Sequence, residues 1–584
     1  MKTSRNRLRF LITAALLLLA AQQPSLAGSA TWSSNPTSGE WNTAANWTPQ
    51  TVPNSTTDVA TFEASHITDL SVTLGSIINL DSAVFNSGSP AYTLTLNVSN
   101  LILNGAGFVN DSGSVQSVLI PEQDGLVGGL FLFNSASAGT MTAFSGGYFS
   151  FHDSSSAGSA TFDVSADSIP AIMAFQNSST AGDAIINASA STDIEFFDSS
   201  TGGNATLNLS SAASAGFPGS ANAEHMTVNC IGGNQSLGSA VYLEGHSSAG
   251  EGSFTAVGGS TIGEHGGYIE LDNAATAETA TFVIGGGLGA GLNGGLLVFL
   301  GTATAANAQI TANGGVDGSG GGAVIFAESA TGGMASVTLN GNGRLDIRDT
   351  DLKGVTIGSL AGDGLVYLGS KTLTVGSNNQ STTFSGAMRQ AGSLIKIGTG
   401  TLTLTGSNSY TGTSSVNGGI LNAANKKGSA TGTGMVNVNS GTLGGRGIIA
   451  GATTIGSGSG GGAFLAPSVG SNKQAALTIQ SALTFNSDAT YTYTFKAKKN
   501  KAKTDKVVAN GVTINGATLN LVGQTQGSLK RGQRLTLISN TSANPISGTF
   551  SNLPDGGIVT INGNNFQASY EGGDGNDLTL TVVP

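Results

Sequence analysis

Between residues 130 and 340, large apolar side chains recur in pairs two residues apart, and a very small residue follows each pair at a fixed distance. The segments FHDSSSAGSATF, FQNSSTAGDAII, FFDSSTGGNATL and LEGHSSAGEGSF align without gaps. Anchors fall at Leu132, Phe151, Phe175, Phe196, Phe217, Leu243, Leu271, Leu300 and Phe326, and eight of the nine have a large apolar residue two positions earlier, such as Leu130, Met173 or Val298. Alternate residues of a strand share a face, so each pair predicts one strand with two inward side chains. Six residues after every anchor stands Ala or Gly, for example Ala157, Ala181, Gly202 and Ala306. Eleven after it an apolar residue returns in seven copies, as in Phe162, Ile186 and Leu207. Each copy thus predicts strand, tight turn, strand. Copies are 19 to 29 residues apart, and variable Gly-rich arcs such as GGGLGAGLNGG fit between them. One copy per rung of a right-handed parallel β-helix follows. At about 4.8 Å per rung, nine copies make a rod on the order of 40 Å long. A β-sandwich array would need Asn-Gly hairpin signals, and these are sparse here.

A second pattern lies in GSLIKIGTGTLTLTGSNSYTGTSSVNGGIL, residues 392–421, where Thr401, Thr403 and Thr405 alternate with Leu402 and Leu404 between Gly-Ser-Asn clusters. Such alternation predicts short strands with Leu on one face and Thr on the other. This stretch resembles an autotransporter-associated β-strand repeat, as do the flanks Gly358–Met388 and Val436–Ser468. It departs from that family's pattern in Ser409-Tyr410-Thr411-Gly412-Thr413-Ser414, where the family commonly shows Thr-Tyr-Thr-Gly-Gly-Thr, and at Ser468, where Gly commonly follows Pro; both are turn substitutions. Residues 477–584 resemble the C-terminal folding module of autotransporter passengers. That likeness rests on Asp505-Lys506-Val507-Val508, Ile546-Ser547-Gly548-Thr549-Phe550 and Asp574-Gly575-Asn576-Asp577-Leu578. The resemblance implies an all-β solenoid at the cell surface, sealed by a C-terminal cap. Since the sequence stops at Pro584, the expectation is a passenger without the β-barrel of about 8 or more strands that would export it.

Composition agrees with a solenoid: 88 of 584 residues are Gly and only 10% are charged. Lys2, Arg5, Arg7 and Arg9, the apolar run Phe10–Ala21 and the small-x-small site Ser25-Leu26-Ala27 read as a secretory signal over residues 1–27. Removing it leaves 19 Lys and Arg against 34 Asp and Glu, a net charge of −15 that argues against nucleic acid as a partner. No later segment of the mature chain reads as a transmembrane helix. The lone Cys230 allows no internal disulfide and reads as a buried small side chain. The expected organisation is residues 28–125 as an N-terminal β-rich cap with first rungs, 126–340 as nine β-helix copies, 341–476 as the β-strand-repeat region and 477–584 as the C-terminal cap.

The candidate chemistry is sparse. β-Helix lyases and hydrolases need carboxylates stacked from adjacent rungs, and the positions just after the anchors form no acidic row. Asn134, Asp153, Asn177, Asp198 and Asn273, two residues past their anchors, read as Asx turns. The densest charged run is Arg344–Asp351, where Asp346 and Arg348 would share a strand face; a solvated strand with cross-paired charges is the simpler reading. His66, His152, His225, His246 and His265 lack metal-ligand spacing. Gly572–Asp577 matches the start of a calcium-binding nonapeptide, fails at Thr579, and reads as a hairpin turn. Lys496, Lys498, Lys499, Lys501, Lys503 and Lys506 are the one basic patch, either a solvated loop or a dock for anionic polysaccharide. Trp32, Trp41 and Trp47 either stack on carbohydrate or plug the open end of the rod, and the plug is preferred.

No residue is therefore assigned as catalytic, cofactor-binding or metal-ligating, and no cofactor is expected. The expected function is a non-enzymatic, secreted or cell-surface structural and adhesive rod, making multivalent contact with surfaces or polysaccharide through Ser/Thr/Asn-lined faces. Two alternatives stand beside it: a carbohydrate-active lyase or hydrolase with its groove near Arg344–Asp351, and a self-associating surface or matrix scaffold.

Overall fold

The structure, a computed structural model, describes residues 28–584 apart from 166–167, 191, 233–237, 261–264, 470–473 and 500. The signal segment expected at residues 1–27 lies outside the described residues. Parallel strands stack into a β-solenoid of about 19 turns, on the order of 90 Å at the inter-strand spacing. Among the described residues there is no α-helix, and Ala44–Asn46 forms a 3-10 turn.

Three ladders run along the rod. The first sheet carries the anchor strands: Tyr148–Phe151 pairs with Gly129–Leu132 on one side and Ile172–Phe175 on the other. The second carries the strands that follow each turn, as where Ser159–Val164 lies between Thr140–Gly146 and Ile185–Ala188. Between them a single residue per rung pairs with its equivalents above and below, in the series Ser137, Ser156, Thr180, Thr201, Asn222, Ser248, Thr276, Thr304 and Thr331.

The sequence dictates both corners of this turn. Five residues past eight of the nine anchors stands Ser, Thr or Asn, and in six of these rungs its side-chain oxygen accepts from the backbone N–H two residues on, as at 3.0 Å from Ser156 to Gly158 and 2.9 Å from Ser248 to Gly250. That local bond pulls the chain into the left-handed region, where Gly158, Gly182 and Gly250 have φ near +60°. The earlier corner is also left-handed, at Asn134, Asp153, Asn177 and Asp198 with φ of 53° to 56°. These Asx residues do not bond to their own turns. They bond instead to the preceding rung: Asn134 donates to the Asn104 carbonyl (2.8 Å), while Asp153 accepts from Asn134 N–H (2.9 Å), Asn177 from Asp153 (3.1 Å) and Asp198 from Asn177 (3.0 Å).

One anchor is corrected. The strand Leu296–Phe299 places Leu297 beside Ile269 and Phe299 beside Leu271, so Phe299 and Leu297, not Leu300 and Val298, face the core. The small corner residue there is Ala305, and Ala306 occupies the left-handed position with φ 43°. A one-residue slip exchanges faces, and LLVFL is apolar on both, so pattern alone cannot choose. With this register Ile310 joins Phe282 and Val337 in the second sheet, and the apolar return that alternation missed is present in that copy.

Inside, identical positions stack. The rings of Phe151, Phe175, Phe196 and Phe217 lie 4.7, 4.6 and 4.5 Å apart and within 12° of parallel. Ala and Ser fill the corner four residues past each anchor. Ser155, Ser200 and Ser247 are fully buried there with hydroxyls lacking a partner, whereas Ala221 and Ala275 occupy the same place in other rungs. An unpaired buried hydroxyl costs about 1–3 kcal/mol. Ser200→Ala is therefore expected to leave stability unchanged or raise it by about 1 kcal/mol, read as a shift of the thermal midpoint; a loss of that size would show the hydroxyl to be satisfied.

The ends differ from the middle. Trp32, Trp41 and Trp47 are each 1% exposed and pack edge to face, with Trp47 ring centroids 5.1 and 4.8 Å from the other two. Trp32 and Trp47 donate their indole N–H groups to Ile67 and Trp41 carbonyls. Phe62 joins this cluster to the core stack, 4.7 Å from Phe85. Beyond Ala489 antiparallel pairing appears: Arg534–Asn540 with Asp577–Val583, and the latter with Asn564–Gly572. Gly572 faces Asp577 across the final hairpin, as the turn reading expected.

Candidate functional site

The residues singled out from sequence are mostly used up by the fold. Asp346 ends the strand Arg344–Asp346 and is 4% exposed; Arg348 lies past that strand and turns back to hold it with two parallel bonds, Nε to Oδ1 at 2.9 Å and Nη2 to Oδ2 at 2.6 Å. The guanidinium also lies 5.3 Å from the Tyr367 ring centre, and its pKa is raised by the bond to Asp346. A shared strand face is thus replaced by a bidentate turn. Cys230 points inward between Leu209 and Ala256, and burial pushes its thiol up to about 12, far from a reactive thiolate. The Trp cluster faces the core, so it offers no ring to a ligand. His225 pairs with Glu251 at 3.6 Å.

What remains is the outside of the rod. On the first sheet, alternate residues point away from the core, and their columns run Tyr148, Ile172, Asp193, Ser214, Ala240, Tyr268 and Ser150, Ala174, Glu195, Gly216, Tyr242, Glu270; Ser150, Ala174, Gly216 and Ala240 are covered by their neighbours. Phe131 lies 5.4 Å from Tyr148, Phe133 stacks on His152 at 4.4 Å, and Tyr242 lies 5.9 Å from Tyr268. Burial under Phe133 lowers the His152 pKa. The Tyr268 hydroxyl bonds to Glu270, and Ser214 Oγ donates to Asp193 at 2.5 Å. Aromatic faces and a carboxylate thus meet at Tyr242, Tyr268 and Glu270, where adjacent rungs bring Tyr242 and Tyr268 together across 26 residues of sequence.

The second sheet presents an amide ladder. Asn187 donates to Asp163 at 2.8 Å, Asn208 to Asn187 and Asn229 to Asn208, both at 2.9 Å. Asp163, Asn187 and Asn208, with Ser165, Ser189, Ser210 and the exposed Ile231, line an open groove of about 340 Å³. Each amide spends one donor along the axis and keeps further hydrogen-bonding capacity outward.

The 392–421 stretch is built inward. Leu402 and Leu404 face the core and Thr401 and Thr403 the outside, as alternation predicts. Its polar residues are structural: the Asn408 side chain accepts from Met388 N–H (2.8 Å) and donates to the Ala430 carbonyl (2.6 Å), and the Tyr410 hydroxyl shares a 2.6 Å bond with Ser414. Lys396 is also inward, 1% exposed, paired in register with Val375 and Val416. Its ammonium donates to the carbonyls of Ile397 (2.6 Å), Gly398 and Gly418 (both 3.4 Å), and desolvation lowers its pKa to about 8.

Residues 394–423 match the passenger-associated transport repeat. A stretch of 108 residues, 17% of the chain, is 43% identical to the adhesin BmaC autotransporter of Brucella suis biovar 1 (strain 1330). The chain is an autotransporter-passenger-like β-helix protein. The match spans 3% of that adhesin's length, so the passenger-like protein shares a building block with it. Among the described residues, no helix is long and apolar enough to cross a membrane.

Proposed function

We propose that this protein is a secreted or cell-surface adhesive rod that binds polysaccharide without catalysis, along its outward faces. The observation that carries the reading is repetition: the amide ladder Asp163–Asn187–Asn208–Asn229 presents the same kind of group rung after rung, and the Tyr242, Tyr268 and Glu270 cluster of the first sheet adds aromatic faces and a carboxylate. A polymer of repeating sugars is the ligand that can use such a surface. Aromatic faces stack on apolar sugar faces, amides bond to hydroxyls, and many weak contacts sum through high effective concentration. The adhesin to which it is similar supports a surface role. The pairing of Asp346 with Arg348 disfavours a general acid there.

Binding to immobilised polysaccharides, followed by surface plasmon resonance, tests this. Asn187→Ala with Asn208→Ala and, separately, Tyr242→Ala with Tyr268→Ala are each expected to weaken avidity tenfold or more, with unchanged circular dichroism. Turnover of polysaccharide, abolished by Asp346→Ala, would replace this reading with the enzymatic one.

A further inference from the structure

Charge is segregated along the chain in a way its net value conceals. From residue 28 to 343 there are 24 Asp and Glu and no Lys or Arg; from Arg344 to Pro584 there are 19 Lys and Arg and 10 Asp and Glu. In a solenoid each rung follows the last along the axis, so sequence position is axial position. The rod is acidic over its first part and basic over its last.

The two kinds of charge are also exposed in defined places. Asp183, Glu251 and Glu278 project from the corner that precedes the second sheet. At the other end the strands Ala489–Lys498 and Lys501–Thr504 form an antiparallel hairpin that sets Lys496 opposite Lys503 and Lys498 opposite Lys501. Lys530 N–H donates to the Lys499 carbonyl at 3.1 Å, which brings the Lys530-Arg531 corner to the same tip. Like charges directly opposite destabilise a strand pair. The hairpin's neighbouring carboxylate, Asp505, is buried and accepts from Ala475 and Thr494 N–H groups, so it does not neutralise the tip.

We propose that a second copy of the chain supplies the missing anions: two rods lie side by side and antiparallel, the basic hairpin of each against the acidic rungs of the other. Parallel alignment would set like ends together. The antiparallel pair satisfies both ends at once by a two-fold axis and closes as a dimer. Exposed charge contacts of this kind weaken steeply with ionic strength.

Sedimentation and small-angle scattering of the mature chain, residues 28–584, decide the matter. At 20 mM NaCl a dimer is expected with a maximum dimension close to that of the monomer, and at 500 mM NaCl a monomer. The variant Lys496→Glu, Lys498→Glu, Lys501→Glu, Lys503→Glu is expected to be monomeric at both salts. So is Asp183→Lys, Glu251→Lys, Glu278→Lys, and mixing the two variants is expected to restore dimers, which excludes misfolding as the cause. A monomer at 20 mM NaCl and 100 µM protein would overturn the proposal, as would a dimer twice as long as the monomer. A monomer that binds dextran sulfate through the hairpin would also overturn it and assign the lysines to anionic polysaccharide.

Discussion

Phe175→Ala is expected to destabilise the middle of the rod by about 3–5 kcal/mol and to do so locally. The Phe175 ring is fully buried and stacked on both sides, at 4.7 Å from Phe151 and 4.6 Å from Phe196. Removing it deletes the transfer free energy of the ring, opens a cavity on the axis and leaves two neighbouring rings with one face bare. Its backbone pairs with neighbouring rungs alone, Tyr148–Phe151 and Asp193–Phe196. Stability in such an array is a sum of rung and interface terms. Amide hydrogen exchange should therefore accelerate across 148–196, while Leu477–Phe485 and the C-terminal sheet keep their protection. Uniform acceleration along the chain would show the solenoid to unfold as one unit; no acceleration would show that the stack contributes little.

The second large effect is a pH dependence set by Lys396. Its pKa is about 8 in the folded chain against an ordinary 10.5, because desolvation disfavours the ammonium. Between these values the unfolded chain binds the proton and the folded chain does not, so stability rises with pH across that window. The penalty is fully present below about pH 8 and gone above about 10.5, and it amounts to on the order of 3 kcal/mol. Lys396→Met removes the titration. The variant also strands the carbonyls of Ile397, Gly398 and Gly418, but that cost does not vary with pH. The stability difference between variant and wild type should therefore fall by about 3 kcal/mol between pH 7 and pH 11, followed by chemical denaturation at each pH. A difference flat in pH would mean that the ammonium is solvated when folded.

Much of the fold was legible because a solenoid repeats its constraints. Every rung must bury the same positions, so the Phe151, Phe175, Phe196 and Phe217 series is written in the chain as a period. Alternation at Thr401–Thr405 likewise settled which face of the repeat turns inward. Legibility failed where local pattern is degenerate. The run Leu296–Leu300 has no polar residue to set the face, so alternation admits Leu300 as readily as the Phe299 that the register selects. The Ser, Thr or Asn five residues past most anchors is visible in the sequence, but its role as a turn-maker depends on a bond to a backbone N–H, which composition does not announce. Lys396 sits on the same alternation face as Leu394, so its burial was also implied, against the ordinary expectation that lysine is exposed.

The candidate surfaces are another matter. Asp163, Asn187, Asn208 and Asn229 are a ladder only because register stacks them, and the columns joining Tyr242 to Tyr268 and Glu270 depend on arcs of different lengths closing to the same rung. By itself the sequence determined what most rungs bury and where they turn, since burial and left-handed corners are local demands on residue type, and it left open only the rung whose strand is apolar on both faces. Which outward residues become neighbours was decided by the tertiary structure, because outward positions carry no packing constraint and are brought together only by the stacking of rungs.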